Sequence, residues 1–163
     1  MPHAIFIETD IDRHGLVGAY AAELPGCATF ATSADEAAGA MPMRASRFTD
    51  WLRRRGEAAP SFVGDNWYEV ERAATGDGRR AAFTLDELPP SADEFSAWVR
   101  WLELAREELA DAIDAGDPLA SAELLDAIER QDIAFVAELG GMAVELTAGP
   151  IDRLYIARDA LTD

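Results

Sequence analysis

GLVGAYAAELPGCATFATSADEAAGAM, residues 15–41, decides how the first half of this chain folds. Leu16, Tyr20 and Leu24 are in phase with small residues between them, which reads as a strand over 16–24. Pro25-Gly26 breaks that strand, and Cys27 to Thr32 supplies a short second one. Ser33 followed by Glu36 fits a capping box, in which the hydroxyl and the carboxylate each satisfy an amide the first turn leaves over. The stretch therefore reads strand, tight turn, strand, helix.

Upstream, Ala4 to Thr9 alternates, with Ile5 and Ile7 on one face and Phe6 and Glu8 on the other, so it reads as a strand. Asp10 to Gly15 is polar and ends in glycine, the composition of a hairpin loop. Downstream, Met41, Ala45, Phe48 and Leu52 recur at helical spacing and are expected to face the sheet, in a helix reaching Arg55 with Gly56 as its C′ residue. Pro42 predicts a kink, or a first turn separated from a helix proper that starts there, because interior proline costs about 3 kcal/mol. Arg53, Arg54 and Arg55 suit the negative end of the helix dipole. A fourth strand is predicted over Phe62 to Val70, a turn over Thr75 to Arg80, and an extended connector over 81–90.

A second capping box, Ser91 with Glu94, follows Pro89-Pro90. Phe95, Trp98, Leu102, Ala105, Leu109 and Ala112 then step by three and four up to Gly116. Asp117-Pro118 opens a further helix carrying Leu125, Ile128, Phe135 and Leu139, with Asp132 in the same stripe. Gly140-Gly141 ends it, and a last helix is expected from Pro150 to Leu161. The fold class expected is α+β: a β-β-β-α-β module over 1–80, the connector, and a helical region of about three helices over 91–163.

Composition narrows the functional classes. The chain has 163 residues, a formal net charge of −17, and 14 basic residues, all of them Arg. Polyanion binding draws its free energy largely from neutralised phosphates, so DNA is not expected as a partner. A basic protein partner is the electrostatic complement. Cys27 is the single cysteine, which excludes an internal disulfide and a Cys-based zinc site and suits a reducing cytoplasm. The start of the chain, Met1-Pro2-His3, does not read as a signal peptide, and no apolar run approaches the roughly 18 residues of a membrane span.

The run from Gly15 to Met41 resembles the HicB family: a strand ending Glu23-Leu24-Pro25-Gly26-Cys27, a short strand, then a capped helix opening Ser33-Ala34-Asp35-Glu36-Ala37. The resemblance covers about residues 3–75. It implies a small antitoxin core that pairs with an RNA-cleaving toxin of double-stranded-RNA-binding-like fold. Many such proteins also carry a C-terminal helix-turn-helix or ribbon-helix-helix segment that binds the operator. This chain departs there: within Ser91 to Ala115 only Arg100 and Arg106 are basic. The run from Trp98 to Ile113 is faintly similar to the opening helix of DinB-like four-helix bundles. Functional members of that superfamily hold a divalent metal with three histidines, whereas this chain has only His3 and His14.

The chemistry-bearing residues read as follows. Cys27 would need a nearby base to act as a nucleophile, and His14 lies on an adjacent hairpin; a small buried cysteine is the simpler reading. His3, His14, Asp10 and Asp12 match no metal-ligand spacing, and Glu8, Asp10 and Glu23 are the strand-end carboxylates that a magnesium-dependent nuclease would require. No catalytic, metal or cofactor residue is assigned, and no cofactor is expected. Phe6, Tyr20, Arg54, Trp67 and Trp101 are the interface candidates, Trp101 being either exposed or a widening of the core. The expected protein is a non-enzymatic, cytoplasmic, homodimeric interaction protein that binds a partner through its N-terminal module. The alternatives are a divalent-metal hydrolase or nuclease, and a helical-bundle sensor that has lost its metal site.

Overall fold

The computed structural model describes residues 2–11, 14–60, 66–74, 83–84 and 91–117. Among the described residues the fold is mixed α/β, with a four-stranded sheet and two helices, and the chain divides into two compact units, Met1–Leu85 and Asp86–Asp163. The elements are β1 (His3–Thr9), β2 (Val17–Ala21), β3 (Ala28–Ala31), α1 (Ala34–Arg54), β4 (Trp67–Ala74) and α2 (Ala92–Asp114).

The sheet order is β3-β2-β1-β4. β1 and β3 flank β2 in antiparallel fashion, and β4 lies parallel to β1 on its other side after the α1 crossover. The strand ending at Leu24 is shorter than its hydrophobic phase suggests: β2 stops at Ala21, and Leu24 belongs to a turn. That turn is closed by the Cys27 amide donating to the Leu24 carbonyl at 2.8 Å, with Pro25 and Gly26 at its centre. Gly26 sits at φ 95, the left-handed value that the third position of a type II turn requires. Leu24 and Cys27 are thereby swung into the interior, both fully buried.

β4 is displaced from its expected 62–70 to Trp67–Ala74. Pairing with β1 decides this, because His3 opposes Trp67 and the ladder runs on to Thr9 opposite Ala74. The register shifts between Ile5, opposite Glu69, and Phe6, opposite Glu71, so Val70 is the bulged residue.

α1 covers one face of the sheet. Its buried side chains include the predicted Met41, Ala45, Phe48 and Leu52, with Trp51 added at a ring-centroid distance of 5.6 Å from Phe48. Thr29 Oγ1 of β3 donates to the Ala37 carbonyl at 2.6 Å and ties the helix to the sheet. The capping box at Ser33 is only half formed: Ser33 Oγ accepts from the Glu36 amide, while Glu36 Oε2 accepts from Thr32 Oγ1 at 2.9 Å instead of reaching back to the cap amide. α1 runs through Pro42 as one helix, so the helix proper does not begin there. Burial of Met41 and Ala45 on either side holds that turn in place against the lost hydrogen bond. The helix ends where expected, with Gly56 at φ 79 and the Glu57 amide donating to the Leu52 carbonyl at 3.0 Å.

In the second unit α2 carries a full capping box between Ser91 and Glu94. Trp101, Leu102, Leu104, Ala105 and Leu109 are buried, a wider stripe than the three-and-four spacing alone gives. The helices expected after Asp117 lie outside the described residues. No described helix is long and apolar enough to cross a membrane.

Candidate functional site

The face of the sheet away from α1 is the distinctive part of the first unit. Phe6 and Glu8 of β1, Gly18 and Tyr20 of β2, and Phe30 of β3 share it by register. Glu8, which alternation sets with Phe6 on the face opposite Ile5 and Ile7, is fully buried there, and the Tyr20 hydroxyl donates to its Oε2. Phe83 is what closes this face. Its ring centroid lies 5.1 Å from that of Phe6 and 6.1 Å from that of Tyr20, and Phe30 meets Tyr20 edge-on. The backbone beside Phe83 is pinned by the Thr84 amide, which donates to Glu71 Oε2 at 2.9 Å. Phe83 therefore belongs to the core of the first unit, not to the free connector expected over 81–90. An aromatic within the 81–90 stretch was the available signal for it, and Glu71 had none.

The remaining candidates are spread along the sheet. His3 is buried at the start of β1, with Nδ1 3.0 Å from Glu23 Oε2 and its ring 4.8 Å from Trp67. Asp10 follows the far end of β1, a separation of roughly 20 Å at the usual strand rise. Glu8, Asp10 and Glu23 thus do not converge, and among the described residues no three His, Cys, Asp or Glu side chains are grouped to hold a metal ion. Asp12 lies outside the described residues. Cys27 Sγ packs 3.8 Å from Met41 Sδ in the interior, while His14 lies exposed beyond the opposite end of β2. The nucleophile–base pair is not assembled.

Of the interface candidates, Phe6, Tyr20 and Trp101 are buried. Phe83 packs on the first two, a contact that sequence spacing could not reveal. Trp67 is half-buried beside His3, and Arg54 is exposed. Its neighbour Arg53 pairs with Asp50 at 2.9 Å.

Among the described residues four large apolar side chains are exposed: Phe30 of β3, Met43 of α1, and Tyr68 at 47 % and Val70 at 50 %, the last two on β4 at the edge of the sheet. Beside them Arg72 makes two hydrogen bonds to Glu69, at 2.8 and 2.6 Å. Those bonds hold the Glu69 carboxyl below the usual carboxylate range and raise the Arg72 guanidinium. Charge is also divided unevenly along the chain. Residues 1–85 hold 12 acidic side chains against nine Arg, whereas 86–163 hold 19 against five. Searches of family models, curated proteins and solved structures return no match to this chain.

Proposed function

We propose that this protein is a non-catalytic, HicB-like interaction protein, antitoxin-like in its first unit, that binds a basic protein partner. The observation that carries the reading is the concentration of acidic side chains after residue 85, 19 against five Arg. A field of that sign raises the encounter rate with a cationic protein and repels nucleic acid. The attraction therefore originates in the second unit more than in the N-terminal module, where acidic and basic side chains nearly balance. Two further observations support a binding role. The catalytic candidates are dispersed over opposite ends of the sheet, and both sheet faces carry packed side chains.

The test is co-expression and titration with a small basic RNase-like protein encoded beside the gene. Association that weakens as salt rises, with protection of RNA from that partner, is the expected result. Absence of binding at low ionic strength refutes the proposal. So does RNA or ester hydrolysis by the purified chain that depends on added magnesium, manganese or zinc.

A further inference from the structure

We infer that the outer edge of β4 is a self-recognition surface, which joins two copies of this chain through antiparallel β4 strands into one continuous sheet. β4 is an edge strand of eight residues, and its exposed side chains include Tyr68 and Val70. An exposed apolar edge of this length is a template for another strand. The sequence of the strand selects a second copy as the occupant.

The bulge at Val70 is what makes the strand self-complementary. In a regular strand Glu69 and Arg72, three residues apart, would point to opposite faces. Here Glu69 opposes Ile5 and Arg72 opposes Ile7, so both lie on the face covered by α1. Tyr68 and Ala73 both lie on the other face, opposite Ala4 and Glu8. Two such strands related by a two-fold axis normal to the sheet can then be set with Glu69 of one copy across from Arg72 of the other. Every flanking pair in that register matches in face. Tyr68 falls opposite the small Ala73, Trp67 falls opposite Ala74, and beside the axis each Val70 falls opposite Glu71 of the other copy. The Glu69–Arg72 pair within each chain becomes a cluster of four alternating charges, two of each sign. Registers one residue either way set Glu69 across from Glu71 or from Ala73 and lose the cross-strand pair. The inference rests on the residues of β4 alone, so it stands whether or not a basic partner exists.

Sedimentation of the full chain at micromolar to submillimolar concentration reads the association directly. A monomer–dimer equilibrium is expected. Glu69→Arg sets like charges opposite each other twice and should raise the dimer dissociation constant about tenfold or more. The exchange Glu69→Arg with Arg72→Glu restores opposite charges and should return the constant toward the wild-type value. A monomer throughout, or a dimer indifferent to Glu69→Arg, overturns the inference. Disulfide trapping gives an answer independent of those variants. Directly opposed β carbons lie about 4.5–5.5 Å apart in such a ladder, so Tyr68→Cys with Ala73→Cys should form a covalent dimer on mild oxidation. Neither single variant should, because its own symmetry mate is several residues away. Failure of the double variant to cross-link while its circular dichroism is native also overturns the inference.

Discussion

The Tyr20 hydroxyl donates to Glu8 Oε2 at 2.5 Å, a diagonal contact between β1 and β2 with both side chains fully buried. Tyr20 stands opposite Phe6 in the ladder, and Glu8 stands opposite Gly18. The ring therefore lies over Gly18 to reach the carboxyl. This contact places an acidic group inside a sheet face that alternation alone would leave to solvent.

Tyr20→Phe keeps the ring packed against Phe30 and Phe83 but withdraws one hydrogen bond from a buried carboxyl. A loss of about 1–3 kcal/mol is expected, read from urea unfolding. A double-mutant cycle with Glu8→Gln should show a coupling above about 0.5 kcal/mol. Additive effects would mean that the two groups contribute separately.

Gly18→Ala tests the path of the tyrosine. A β carbon at residue 18 would stand 2.8 Å from Tyr20 Oη, 3.0 Å from Ile11 Cδ1 and 3.1 Å from Phe30 Cε1. The hydroxyl must shift from Glu8 or the strands must part, at a cost of about 1–3 kcal/mol. In the Tyr20→Phe background the penalty should shrink, because the atom in closest conflict is gone. An equal penalty in both backgrounds would place the conflict elsewhere.

Phe83→Ala removes the ring that covers Phe6 and Tyr20. Burial of this order predicts a loss of roughly 3 kcal/mol, together with faster hydrogen exchange at the β1 and β2 amides. If Phe83 were only part of a connector, neither quantity would move.

Glu94 gives a pH-dependent prediction. Its carboxyl accepts from the Ser91 amide at 2.8 Å, and the bonds with Ser91 hold its pKa below the ordinary carboxylate value despite slight desolvation. A depressed folded-state pKa contributes stability that is present above the unfolded value and is lost as pH falls through the folded one. Fraying of the first turn of α2 on acidification is therefore expected. Carboxyl-detected NMR titration should show the Glu94 midpoint rising toward the ordinary value in Ser91→Ala. The effect is small, since the group is exposed and screened. The Ser91 backbone amide survives that substitution, so a midpoint that Ser91→Ala leaves in place would assign the shift to the amide alone.

The local signals were strong where a single stretch of chain carries its own instructions. Leu24-Pro25-Gly26-Cys27 encodes a type II turn through proline's fixed φ and glycine's tolerance of φ 95. Ser33, Gly56, Ser91 and Gly116 bound the two helices at the expected places. Alternation over β1 separated Ile5 and Ile7 from Phe6 and Glu8 correctly, yet could not say that the second set is buried too. Those caps, turns and periods depend on backbone sterics and hydrogen bonds between near neighbours, and the sequence by itself determined them.

Tertiary structure decided the rest, because it depends on partners far apart in the chain. Residue 83 packs against the rings of residues 6 and 20, and residue 20 in turn holds Glu8, so all three lie in the interior. The parallel ladder with β1 sets where β4 begins and inserts the bulge at Val70. That one-residue shift puts Glu69 and Arg72 on the same face, which no count along the sequence would do. Side-chain direction in a strand follows pairing, and pairing is a contact between segments more than 50 residues apart.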